Sequence, residues 1–129
     1  DDPLSELCIM IVDDQRAMRM IIRSLLSQVE INNVIEAEDG QQALDYLQHP
    51  ANQPPDLVIC DLHMANVDGL EFSNLVRRNK VPKLAGIPIL ILVPSSALDQ
   101  WNRFSGGLAV LLPYTPEAIR RWWTGIRAE

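Results

Sequence analysis

Apolar residues in this chain fall into two patterns, short unbroken runs and longer stretches with helical spacing. Unbroken runs occur at Leu7–Val12, Leu57–Cys60, Ile89–Val93 and Leu108–Leu112, and Val34–Ala37, interrupted by Glu36, reads as a further short strand. Runs of four to six apolar residues bounded by Pro and polar residues predict strands buried on both faces of a parallel sheet. Between them, Gln15–Gln28 reads as a helix. Met18, Ile21, Ile22, Leu25 and Leu26 lie on one side, with Arg16, Arg19 and Arg23 on the other. Asn32-Asn33 predicts a turn, and Asp39-Gly40 breaks the chain before a helix over Gln41–Gln48 that carries Ala43, Leu44 and Leu47 inward. His49-Pro50 ends it, and the polar, Pro-rich loop to Pro55 is exposed. A third helix runs from Leu70 to about Arg78, anchored by Leu70, Phe72 and Leu75. Pro94 stops the fourth strand. Ser95-Ser96 opens a short fourth helix through Arg103, closed by Gly106-Gly107, and Thr115-Pro116 opens the last.

Five strands alternating with five helices predict a doubly wound α/β domain with one parallel five-stranded sheet. The flavodoxin-like strand order 2-1-3-4-5 places its switch point between strands one and three, outside their carboxyl ends, where such folds bind ligands. Those two strands end in acid: the first on Asp13-Asp14, the third on Asp61. Three carboxylates at one sheet edge repel one another unless a cation neutralises them. The arrangement therefore calls for a hard divalent metal such as Mg²⁺ (or Mn²⁺). Asp14 holds the metal directly, and Asp13 directly or through water. Asp61 is both ligand and nucleophile, because a carboxylate beside such an ion can attack a phosphoryl group. Helix caps and turns account for one aspartate at a strand end, but poorly for three that converge.

Composition narrows the function. The 129 residues make one domain over 1–129, and the opening Asp1-Asp2 without Met predicts a piece of a longer protein. A net charge of −6 gives no footprint for direct nucleic-acid binding and disfavours an anionic membrane surface. No apolar run approaches the roughly 20 residues of a membrane span, and no signal-peptide pattern opens the chain. Cys8 and Cys60 stand five residues and one residue before their strand-ending aspartates, an offset of roughly 13 Å along the sheet. That separation predicts two free thiols in a cytoplasmic protein.

Val12-Asp13-Asp14, Glu36-Ala37-Glu38-Asp39-Gly40, Asp56-Leu57-Val58-Ile59-Cys60-Asp61 and Met64-Ala65-Asn66-Val67-Asp68-Gly69 together resemble a bacterial response-regulator receiver domain, most of all the single-domain chemotaxis regulators. The resemblance covers essentially the full chain and is dense from Cys8 to Arg78. It implies Mg²⁺-dependent acceptance of phosphate on Asp61 from a sensor histidine kinase or phosphotransfer protein. It also implies the backbone carbonyl of His63 as a further metal ligand, and a downstream effector domain or protein. The domain would be a phosphoacceptor and not a classical enzyme.

Two positions depart from the family pattern. Val93 stands where the switch Ser/Thr closes strand four, and Leu112 where the active-site lysine precedes Pro113. Ala109 takes the place of the aromatic that swings inward on strand five. Losing an adjacent cation removes on the order of 4 kcal/mol of gross attraction at an effective dielectric of about 20, much of it returned by avoided desolvation. Ser95, Ser96 and His63 are the candidate substitutes. On the last helix, Ile119, Trp123 and Ile126 form a buried stripe that leaves Trp122 outside it. Trp122 then marks a partner or homodimer surface on the helix 4–strand 5–helix 5 face. The alternative function is a degenerate receiver that docks or dimerises without phosphate.

Overall fold

The structure, a computed structural model, describes residues 6–64, 66–93 and 109–111, with Val93 and residues 109–111 described as backbone. The strands are β1 (Cys8–Val12), β2 (Asn33–Ala37), β3 (Leu57–Asp61), β4 (Ile89–Val93) and β5 (Ala109–Leu111). All pair in parallel, in the order β2-β1-β3-β4-β5. The flavodoxin-like arrangement predicted from the apolar runs is therefore the observed one. The helices are α1 (Arg16–Gln28), α2 (Gly40–Gln48), α3 (Gly69–Arg77) and the single turn α4 (Pro82–Ala85).

Successive strand residues point to opposite faces, and the core divides accordingly. Ile9, Ile11, Leu57, Ile59, Leu90 and Leu92 pack against Ile22 and Leu26 of α1. Met10, Val12, Val58, Cys60, Ile89 and Ile91 pack on the other face against Ala43, Leu44 and Leu47 of α2 and against Phe72 and Val76 of α3. Burial on both faces explains why these strands carry no polar alternation.

The β1–β3 register is tied at its amino end by two hydrogen bonds. The Cys8 amide donates to an Asp56 carboxylate oxygen (2.8 Å), and the Asp56 amide donates to the Cys8 carbonyl (2.7 Å). Four residues further on, Val12 lies opposite Cys60. The two cysteines are thus offset along the sheet as their sequence positions predict, and both are free.

Three predictions of side-chain orientation are corrected. Arg19 is buried, not on the solvent side of α1. Ile21, assigned to the apolar side, is 53% exposed, next to Met20 at 60%. The helix turns Arg19, Ile22 and Leu26 inward, with Met18 and Leu25 at the margin, so Ile21 falls outside the buried stripe. Leu75 of α3 is likewise exposed, and Val76 takes the core position expected of it. The turn α4 has no counterpart in the sequence pattern, because four residues starting at a proline carry no periodic signal. Among the described residues, no helix is long and apolar enough to cross a membrane. The expected helices after Pro94 and after Pro113 lie outside the described residues, as do Ser95, Ser96, Leu112 and Trp122.

Candidate functional site

The carboxyl ends of β1 and β3 deliver the acids. Asp13 follows Val12, and its amide donates to the Ala37 carbonyl of β2 (3.1 Å), so the chain remains pinned to the sheet one residue past the strand. Its carboxylate Oδ1 accepts the Gln15 amide (2.8 Å). This is an aspartate-led turn that starts α1 in place of a side-chain cap, which Gln15 does not provide. Asp14 is exposed, and Asp61, the last residue of β3, is half-buried.

The loop after Asp61 folds back against it. The Gly69 amide donates to the Leu62 carbonyl (2.9 Å), and Asp68 caps α3 by accepting the Glu71 amide (2.8 Å). Gly69 lies so close to β3 that an added Cβ would run into the Asp61 carbonyl oxygen and approach the Leu62 Cα at 3.0 Å. Asn66 takes a left-handed conformation (φ 68°), which asparagine tolerates better than most residues. On the neighbouring side, Asp39 caps α2 through the Gln42 amide (2.7 Å), and Gly40 leaves no room for a Cβ beside Val67. The helix starts of α2 and α3 therefore hold the loop from both sides.

Asp13, Asp14 and Asp61 each offer one carboxylate oxygen, and these oxygens lie within 4.8 Å of one another. Burial foremost pushes the Asp13 carboxyl, 1% exposed, up to about 6. The Gln15 amide pulls the other way, the charges of Asp61 and Asp14 push it up further, and Arg19 opposes them. Asp61 is also raised, mainly by burial. The His63 amide opposes that shift, the Asp14 charge adds to it, and the His63 side chain and the Leu62 amide oppose it in turn. Behind the cluster, Cys60 is fully buried and its thiol is pushed up by burial and then by Asp61, so it remains protonated. Three hard oxygen donors at one point, two of them held above the usual carboxylate range, match a hard divalent cation. Such an ion would supply the charge that the protein itself leaves unbalanced.

The remaining predicted site residues are placed as follows. Leu92 lies opposite Asp61, and Val93, the last residue of β4, comes one position later with no hydroxyl to offer. Across the next strand pair, Val93 lies opposite Leu111 and Ala109 opposite Ile91. His63 is exposed in the loop that follows Asp61. Sequence reasoning missed Arg19 and Glu36. Arg19 donates to the Asp13 carbonyl (2.6 Å) and to a Glu36 carboxylate oxygen (3.0 Å), while Arg23 takes the other Glu36 oxygen (3.0 Å). The available signal was a glutamate between Ile35 and Ala37 of β2, facing a helix with two arginines one turn apart.

Residues 9–104 match the family model of the response regulator receiver domain. The chain belongs to this family. The receiver domain is 34% identical over 113 residues to the probable chemotaxis protein CheY of Rhizobium etli, covering 87% of this chain and 85% of that protein. Among solved structures it is similar to the chemotaxis protein CheY4 of Vibrio cholerae, at 25% identity and a TM-score of 0.68, covering 92% of this chain and 96% of the other. A bacteriophytochrome response regulator, AtBRR, matches at 26% identity and a TM-score of 0.72, with 94% and 90% covered. Receiver domains are signalling domains of two-component systems. They bind Mg²⁺ in an acidic pocket and interact with histidine kinases or phosphotransfer proteins and with effectors.

Proposed function

We propose that this receiver domain accepts a phosphoryl group on Asp61, with Asp13, Asp14, Asp61 and the His63 backbone carbonyl as the ligands of Mg²⁺ (or Mn²⁺). The observation that supports this is the meeting of three carboxylate oxygens within 4.8 Å at the end of two adjacent strands. The bound metal would supply charge neutralisation and alignment of the phosphoryl oxygens. Asp61 contributes the nucleophile: one carboxylate oxygen attacks phosphorus and forms the P–O bond. The P–N bond of a phosphohistidine donor breaks, and the imidazole nitrogen leaves with its electron pair and takes a proton from water. Hydrolysis later returns the carboxylate and free phosphate. Beyond this self-phosphorylation and slow self-dephosphorylation, the domain has no turnover of its own.

Residues 1–129 act in this reading as one receiver domain in the cytoplasm. It takes phosphate from a sensor histidine kinase or phosphotransfer protein and passes the signal to a downstream effector domain or protein. The output face runs over β5 and the helices expected beside it, with Trp122 as its aromatic anchor and a homodimer as one assembly it supports.

Val93 favours a second reading, a docking or dimerisation module that works without phosphate. A valine at the end of β4 cannot donate to a phosphoryl oxygen, and Leu112 supplies no ammonium to balance it, leaving Ser95, Ser96 or His63 to do so. One experiment separates the two. The domain is incubated with Mg²⁺ and a small phosphodonor, or with a beryllofluoride mimic, and followed by mass spectrometry and sedimentation. Modification of Asp61 with a change in assembly or partner affinity supports signalling. Mg²⁺ binding without modification supports docking alone.

A further inference from the structure

Arg19 is the one buried cation among the described residues, at 8% exposure. Burying a guanidinium is costly unless its donors are matched, and a helix one turn from solvent would otherwise leave it outside. Two of its donors are matched, one by a backbone group of the acidic pocket and one by the neighbouring strand: Nη1 reaches the Asp13 carbonyl and Nε reaches Glu36 of β2. That carbonyl belongs to the peptide unit joining Asp13 to Asp14. The preceding peptide is held by the Asp13 amide on Ala37, the residue after Glu36 in β2. Both peptide planes around Asp13 are thus anchored to β2, one directly and one through Arg19.

We infer that Arg19 is a positioning residue for the acidic pocket: by fixing the Asp13–Asp14 peptide against Glu36, it sets the angle at which the two carboxylates face a shared cation. The inference rests on the reading of the pocket as a metal site. Groups that orient ligands without touching the ion change metal affinity by roughly 10–100-fold when removed. Lysine cannot replace arginine here, because a single ammonium lacks the rigid fork that spans two acceptors. Arg23 provides an internal control. It shares Glu36 but is half-exposed and hydrogen-bonds to no group of the pocket.

The test compares wild type, Arg19→Lys, Arg19→Gln and Arg23→Gln, with folding checked by circular dichroism. Titration calorimetry gives the Mg²⁺ affinity, and amide NMR in metal-free buffer reports on Asp14. The expected result is a 10–100-fold weaker Mg²⁺ affinity and a displaced Asp14 amide resonance in both Arg19 variants, with Arg23→Gln close to wild type in both. A folded Arg19→Lys with wild-type affinity and an unmoved Asp14 amide overturns the inference, as does an equal loss in Arg23→Gln. If the Arg19 variants fail to fold, Glu36→Ala removes one anchor and is expected to weaken Mg²⁺ and shift the Asp14 amide; no change in either overturns it. If wild type itself takes up no Mg²⁺, the metal reading fails, and the metal-free Asp14 resonance still decides the role of Arg19.

Discussion

The Asp61 carbonyl oxygen fills the space that a side chain on Gly69 would need. The start of α3 and the end of β3 can approach this closely only because residue 69 lacks a Cβ. Gly69→Ala must push the helix start away from the strand end, at a cost of roughly 1–3 kcal/mol for overpacking. Urea denaturation is expected to show that loss, together with weaker Mg²⁺ binding because the loop after Asp61 moves.

In metal-free protein, Asp13 makes stability depend on pH in the direction opposite to a salt-bridged aspartate. Its folded-state pKa, about 6, lies above the ordinary 3.8, so the native state holds more protons than the unfolded state between those values. Stability contributed by this group is present below about pH 4 and is lost as pH rises to about 6. The loss is on the order of 3 kcal/mol. Unfolding in EDTA at pH 4.5 and pH 7 captures about 2 kcal/mol of it. Asp13→Asn is expected to reduce the difference, the remainder coming from Asp61, whose carboxyl is also raised, and Mg²⁺ to restore stability above pH 6, where the carboxylates are free to bind it.

Supplying a hydroxyl and an ammonium tests how far Val93 and Leu112 limit the proposed phosphoryl transfer. Val93→Thr returns a hydroxyl and Leu112→Lys an ammonium. A charged hydrogen bond is worth about 1.5–3 kcal/mol, so the double variant is expected to gain roughly ten-fold or more in phosphorylation rate from a small phosphodonor. Quench-flow or fluorescence kinetics against wild type provide the readout. An unchanged rate would mean that groups elsewhere in space already serve.

Cys60 is fully buried beside Asp61, with its thiol pushed up by burial and by neighbouring carboxylates, whereas Cys8 is only partly buried. Thiolate, not thiol, reacts with alkylating reagents. Native protein treated with iodoacetamide is therefore expected to modify Cys8 first and Cys60 only on unfolding. Peptide mass mapping after short exposures checks the order.

The strands and the three carboxylates were legible in sequence because their signals are local. An apolar run that stops on an acid marks a buried strand end, and parallel pairing brings such ends together. The bounds of β4, Ile89–Val93, coincide with the apolar run itself. Arg19 was not legible for a different reason. Periodicity assigns a charged residue to the wet side of a helix, and only when β2 is in place does the Glu36 carboxylate appear as its partner across 17 residues of sequence. Ile21 and Leu75 failed for the related reason that the turn of a helix is set by what packs beneath it, here Ile22 and Val76.

The paired hydrogen bonds between Cys8 and Asp56 have a consequence at the opposite rim of the sheet. They act as the zero mark of a ruler whose far graduation is the gap between Asp13 and Asp61. Deleting one residue between Asp56 and Asp61 would swap the faces of every side chain beyond the deletion and send the Asp61 carboxylate away from its two companions. The spacing of the acids is thus inherited from the far side of the molecule, where none of the chemistry takes place.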